Sequence, residues 1–198
     1  MKNRLINFEQ KVKKIYENGT IKAPIHLSGN NEDQLIKIFK KIKKNDWAFC
    51  SWRSHYQCLL KGVPPKKIKN EIINGKSISL CFIEHKIYSS AIVGGVLPIA
   101  LGLAVSLKRK KSKNKVYCFV GDMTSETGIA HECIKYSIKK NLPIHFIIED
   151  NGKSVCTDTR KTWSTKRLTY QNIKSKFVTY YKYKLKYPHA GAGKRVQF

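Results

Sequence analysis

The sequence predicts an α/β fold, a parallel sheet flanked by helices. Three observations lead there. Two apolar, partly β-branched runs, Val116–Val120 and Ile144–Ile148, have the length and composition of buried strands. A stretch of helical length separates them, starting near Thr124 or Ser125 and ending at about Lys140. Each run stops at an acidic turn: Gly121-Asp122 after the first, Glu149-Asp150-Asn151-Gly152 after the second. Strand, helix, strand is the parallel βαβ unit. Both acidic turns then share the carboxyl edge of the sheet, where open α/β sheets bind ligands. Asp122 and Asn151 converge there as hard oxygen donors. Such a set suits Mg2+, whose shell is usually completed by phosphate oxygens.

The rest of the chain supplies the flanking layers. Residues 3–18 place Leu5, Phe8, Val12, Ile15 and Tyr16 near one helical face, and Gly19 ends the run. Residues 24–30 form a loop that carries His26. Asn30 or Asn31 caps a helix over 32–44 that buries Leu35, Ile36, Phe39 and Ile42. Residues 46–52 are short and aromatic. Residues 54–61 are read as helix and 62–65 as a break. Pro64 or Pro65 starts the next helix, which runs to about Ile73. A loop then holds Glu84 and His85. Ala91–Leu107 is apolar but interrupted by Gly94, Gly95, Pro98 and Gly102. It is read as a closely packed buried helix, not a membrane span. Lys108–Lys115 is a charged turn. Residues 152–166 are a polar loop over the site, and 177–183 alternate weakly as a last strand. The tail contains GAGK (Gly191–Lys194). It is no phosphate loop, because Arg195 stands where Ser or Thr is needed. It is read as a flexible tail that contacts a partner.

A length of 198 residues fits one domain spanning 1–198, and 41% hydrophobic residues argue against disorder. The N-terminus lacks the apolar middle of a signal peptide. Six scattered cysteines with no CxxC pair read as reduced thiols of a cytoplasmic protein. The net charge is +26, yet only six of the 39 basic residues are Arg, the usual base reader. That argues against nucleic acid. A solvated lysine surface is the first reading, and an acidic second subunit is the other.

The motifs gain meaning together. Gly121-Asp122, a helix, and Asp150-Asn151 at the next strand end resemble the thiamine-diphosphate motif. GIAHE (Gly128–Glu132) and DNGKS (Asp150–Ser154) are similar to transketolases. SWRSH (Ser51–His55) and AIVGG (Ala91–Gly95) are similar to alpha subunits of 2-oxo acid dehydrogenases. The resemblance covers about residues 50–159 and implies a thiamine-diphosphate-binding fold with thiamine diphosphate and Mg2+ as cofactors. It implies Asp122, Asn151 and the Lys153 carbonyl as metal ligands, and Arg53 as a diphosphate ligand. It places the Val93 backbone against the aminopyrimidine, with Gly94 and Gly95 allowing close approach. Met123 stands beside the diphosphate, where the family usually has glycine. Gly128 would leave room in the helix, and Glu126 would lie near the metal turn. His55 and His85 would orient substrate or move protons, with an ordinary packing role as the competing reading.

The chain is shorter than a complete enzyme of either type. It offers no candidate for the glutamate that ionises the cofactor. A separate pyrimidine-domain subunit is therefore expected to supply it, in a heterotetramer. The transketolase-like segments favour transfer of a ketol or acyl fragment from a ketose or 2-oxo acid donor. The alternative is oxidative decarboxylation as a 2-oxo acid dehydrogenase alpha subunit. A third reading is a non-catalytic basic binding protein that retains the fold.

Overall fold

The computed structural model describes residues 1–173 and 175–193. In chain order it forms α1 (Lys2–Glu17), α2 (Glu32–Phe39), β1 (Trp47–Cys50), α3 (His55–Leu60) and α4 (Pro65–Ile73). Then come β2 (Cys81–Phe82), a 3-10 turn (Ile83–His85), β3 (Ile87–Ser89), α5 (Val96–Arg109) and β4 (Val116–Gly121). The chain continues through α6 (Asp122–Ser125), α7 (Gly128–Lys139), β5 (Ile144–Asp150), β6 (Lys153–Ser154), β7 (Thr157–Asp158), α8 (Thr159–Thr162) and β8 (Val178–Lys182).

One six-stranded sheet, in the order β2-β3-β1-β4-β5-β8, positions everything else. Its pairs are parallel except for β2 with β3. Parallel strands are covered on both faces and therefore read as near-continuous apolar runs, as β4 and β5 do. Alternation still sorts the side chains. Ala48, Tyr117, Phe119 and Ile147 join Leu5, Leu35, Tyr56 and Ile68 on the face covered by α1 to α4. Phe49, Cys118, Val120, Phe146 and Ile148 join Leu97, Ala100, Ala130 and Ile134 on the face covered by α5 and α7. Phe119 is fully buried and stacks on Phe39 at 5.5 Å between ring centroids. The register pairs Val120 with Ile148 and Gly121 with Glu149. Both acidic turns therefore leave the sheet side by side.

Several sequence expectations need correction. The aromatic segment 46–52 contains β1, a central strand that joins β3 to β4. Four residues are too few to show a period. The supposed loop around His85 holds β2 and β3 for the same reason. The helix over 32–44 stops at Phe39. The single helix expected after β4 is broken into α6 and α7. The polar loop over 152–166 contains the β6–β7 hairpin and α8.

The glycine-rich helix is shorter and less buried than expected. It starts at Val96, and Ile92 is 72% exposed. Among the described residues, a Cβ added at Gly102 or Gly128 would meet nothing within 4 Å, so close packing there does not call for glycine. The tail does not hang free as far as Gly193. Gly191 N–H donates to the Ile25 carbonyl, and Ala192 is buried. The remaining tail residues, 194–198, lie outside the described residues. Among the described residues, no helix is long and apolar enough to cross a membrane.

Candidate functional site

The site is built at the carboxyl ends of β4 and β5. β4 ends in extended backbone at Gly121 (φ −74°, ψ 164°), and the chain turns into α6 with Asp122 at its first position. That turn points the Asp122 side chain inward. It is fully buried, and among the described residues neither carboxylate oxygen has a hydrogen-bond partner. Burial raises its pKa to about 6, and the Asp150 charge adds to the rise. The Thr159 hydroxyl opposes the rise without reaching good hydrogen-bond geometry.

β5 ends in Glu149-Asp150, and the chain reverses at Asn151-Gly152. Gly152 has φ +81°, a left-handed conformation that glycine adopts at no steric cost. The Asn151 amide oxygen accepts from the Lys153 N–H at 3.0 Å. Asp150 has a different task. It accepts from Arg160 at 3.2 and 2.5 Å, from the Tyr180 hydroxyl, and from the Gly152 N–H at 2.8 Å. Burial would raise its pKa, but Arg160 and Tyr180 outweigh burial and hold it below the usual carboxylate range. Asp150 thus ties the hairpin and α8 down beside Asp122.

Arg53 lines the same small cavity as Asp122, Met123, Asn151 and Lys153. It is buried, and its guanidinium is aimed by two donations, Nε to the Leu27 carbonyl at 3.1 Å and Nη2 to the His189 carbonyl at 2.9 Å. The cavity holds about 30 Å³. That is water-sized, well below the several hundred Å³ of ordinary ligand pockets.

Glu149, Trp52 and His189, which sequence did not single out, complete the wall, and His26 packs behind them. Glu149 is buried, accepts from the Tyr181 hydroxyl at 2.5 Å and from the Gln57 amide at 3.3 Å, and has its pKa pushed to about 7 by burial. His26, Trp52 and His189 form a ring cluster, with His26 and His189 centroids 4.9 Å apart. Burial, and after it the Arg53 charge, lowers the His189 pKa to about 4. Burial also lowers His26 to about 4, although its bond to the His189 carbonyl opposes the fall. Both rings are therefore neutral near pH 7. The Asn31 amide oxygen, the Trp52 indole N–H and both His189 ring nitrogens are buried without a partner among the described residues. So many orphaned polar atoms around one cavity mark a place that a polar ligand would satisfy. The acidic run 149–151 was the one sequence signal for Glu149. Nothing local marks His189, because its neighbours come from distant segments.

The two predicted catalytic histidines are not brought here. His55 is fully buried between Glu9, at 3.0 and 3.1 Å from Nδ1, and the Ser77 hydroxyl, at 2.9 Å from Nε2. Acid, imidazole and hydroxyl stand in the order of a proton relay, but complete burial denies them a substrate. The cluster joins α1, α3 and the segment before β2. His85 sits on the 3-10 turn beside the edge strand β2, outside the cavity wall. Val93, Gly94 and Gly95 also lie outside that wall. Gly94 does run beside α6 and α7. Gly94 has φ +74°, and a Cβ on it would come within 3.1 Å of Ile129 and 3.9 Å of Thr124. Glu126 instead accepts from Thr169, through its N–H at 3.1 Å and its hydroxyl at 2.8 Å.

Among the described residues no group of three or more His, Cys, Asp and Glu side chains is placed to hold a metal. A cation here would rest on one carboxylate, one amide oxygen and a carbonyl, with the ligand's own oxygens completing the shell. Mg2+ accepts such a set. These oxygens lie at the carboxyl edge of a parallel sheet, where open α/β sheets bind ligands.

Comparison with known proteins gives the family. The model of the dehydrogenase E1 component family matches residues 1–175, and the chain belongs to that family. Over 161 residues it is 29% identical to the alpha subunit of the acetoin:2,6-dichlorophenolindophenol oxidoreductase of Bacillus subtilis, covering 76% of this chain and 48% of that protein. Over 168 residues it is 30% identical to the pyruvate dehydrogenase E1 alpha subunit of Rickettsia prowazekii, covering 80% of this chain and 52% of that protein. The chain thus spans about half the length of these relatives. The comparisons agree with the resemblance to thiamine-diphosphate enzymes. They favour the dehydrogenase alternative over the transketolase-like transfer toward which the sequence leans.

Proposed function

We propose that this chain is the diphosphate-holding part of a 2-oxo acid dehydrogenase E1 alpha subunit. It would bind thiamine diphosphate through Mg2+ and work with a separate pyrimidine-domain subunit in a heterotetramer. The observation that carries this is Asp122: two buried, unpartnered carboxylate oxygens at the end of β4, beside Asn151 at the end of β5. When bound, thiamine diphosphate supplies the carbanion chemistry that acts on the 2-oxo acid carbonyl.

The chain's own residues do the holding. Asp122, the Asn151 amide oxygen and the Lys153 carbonyl would bind the cation. Arg53, already fixed by two carbonyls, would meet the diphosphate, since a guanidinium fork suits phosphate oxygens. Met123 would flank the diphosphate from α6. Neutral His26 and His189 would stand behind Arg53 without adding charge. A cavity of about 30 Å³ must widen to admit the cofactor. The segment that gives way is the hairpin and α8, held by Arg160. Ile92 and Val93 before α5, Ile99 on α5 and Ile129 on α7 are 41% to 72% exposed. Exposed apolar patches of this kind mark protein interfaces. This patch would receive the pyrimidine-domain subunit and the activating glutamate it carries.

Isothermal titration of thiamine diphosphate with Mg2+, into the chain co-purified with a pyrimidine-domain subunit, tests the proposal. Saturable uptake that disappears in Asp122→Ala is expected. An absence of uptake with the partner present would sink it. Assay of the same pair with a 2-oxo acid and an electron-accepting dye, against a ketose and an aldehyde acceptor, decides between dehydrogenase and transferase.

A further inference from the structure

Arg53 lines the cavity at Asp122, yet among the described residues no carboxylate forms an ion pair with it. It is buried and held by two carbonyls, those of Leu27 and His189. A guanidinium tied only to neutral carbonyls keeps its charge for an anion. Its aim then depends on what fixes those carbonyls.

The Leu27 carbonyl belongs to the peptide unit that joins Leu27 to Ser28. The N–H of the same unit donates to Glu9 Oε1 at 2.8 Å, while its carbonyl accepts from Arg53 Nε at 3.1 Å. The two ends of a trans peptide point in opposite directions. The unit therefore stands between a carboxylate and a guanidinium, with its dipole aligned by both. Hydrogen bonds in such a chain polarise one another. Glu9 makes the Leu27 carbonyl a better acceptor and stops the peptide from turning. Glu9, Leu27 and Ser28 are each at most 1% exposed, so water does not compete for these groups.

Glu9 is itself pinned. A carboxylate only accepts, so His55 Nδ1, at 3.0 and 3.1 Å, donates to it. The Ser77 hydroxyl meets only the far side of that ring, at Nε2. Arg53 and His55 flank the start of α3, so one side chain from α1 reaches both, the first through a peptide and the second directly.

From this chain of contacts we infer that Glu9 is the positioning residue of Arg53. It acts through the Leu27–Ser28 peptide, fixes the direction of the guanidinium, and thereby sets the affinity of the cavity for a diphosphate. That last step rests on the reading of Arg53 as a diphosphate ligand.

Two readouts on the full chain test it. The first is the Arg53 Nε–H signal in heteronuclear NMR, assigned by its loss in Arg53→Gln. Its exchange with water is expected to be slow in wild type and about tenfold faster or more in Glu9→Gln. The second is calorimetric titration with Mg2+ and inorganic pyrophosphate. Glu9→Gln should weaken binding about tenfold, but by less than about twofold when Arg53 is already replaced by Gln. Val12→Ala loosens the packing of the same helix without touching the peptide, and should leave both readouts within about twofold. Glu9→Asp keeps the charge and draws it back from Ser28. It should show the same pattern at about threefold, and it serves as the test where Glu9→Gln does not fold by circular dichroism. Unchanged Nε–H exchange in the Glu9 variants, an equal loss of affinity with and without Arg53, or the same loss in Val12→Ala overturns the inference in favour of plain packing. Absence of pyrophosphate binding in every form, with exchange still governed by Glu9, supports the positioning of Arg53 and refutes the diphosphate reading instead.

Discussion

Asp122→Asn should make the metal-free protein more stable while destroying its use. The Asp122 carboxyl has its pKa raised from 3.8 to about 6 by burial. That difference corresponds to about 3 kcal/mol of cost for keeping the charge buried. Below pH 3.8 the group is protonated in both folded and unfolded chains, and the cost vanishes. Between pH 3.8 and about 6 the folded chain holds a proton that the unfolded chain has lost, so stability falls as pH rises. Above about 6 the full cost applies. Asparagine keeps the shape and removes the charge. Urea unfolding at pH 7.5 in EDTA should therefore show a gain of about 1–3 kcal/mol for Asp122→Asn, with an unchanged slope. At pH 3.5 the gain should shrink toward zero. With saturating thiamine diphosphate and Mg2+, wild type should gain about 3 kcal/mol at a hundredfold excess over Kd, and the variant nothing. A loss of stability at pH 7.5 without metal, or an equal gain at both pH values, would refute the reasoning.

Other perturbations separate the parts of the fold. Arg160→Ala strands the buried Asp150 carboxylate and should cost about 3 kcal/mol in urea unfolding, while proteolysis near residue 155 speeds up. Ser77→Ala removes one partner of His55 and should cost about 1–2 kcal/mol while leaving cofactor affinity, measured by calorimetry, within about twofold. Ile99→Asp, on the exposed side of α5, should change the stability of the chain by less than about 0.5 kcal/mol but abolish co-purification with the pyrimidine-domain subunit. Phe119→Ala, at the centre of the sheet, should cost about 3–5 kcal/mol and lower the yield of folded protein on gel filtration.

The βαβ unit was legible in the sequence because its strands are β-branched and apolar and its turns are acidic. The position of Asp122 and Asn151 on adjacent strand ends followed from topology alone. β1 and β3 were not legible, since strands of four and three residues carry too little pattern. The broken helix after β4 was hidden because Asp122–Ser125 has no apolar period of its own. Ala91–Leu107 misled because apolar composition does not say which residues are covered, and Ile92, Val93 and Ile99 are exposed. His189 and Trp52 became visible as wall residues only when the tail folded back to Arg53, more than a hundred positions away in sequence.

The pairing of Gly121 with Glu149 has one more consequence. A slip of one residue between β4 and β5 would move the second turn by about 3.3 Å and turn its side chains to the other face. Asp122 and Asn151 would then no longer lie side by side at the sheet edge. Only the correctly zipped sheet brings both side chains together, so a cation bound as proposed would favour the right strand alignment over a slipped one.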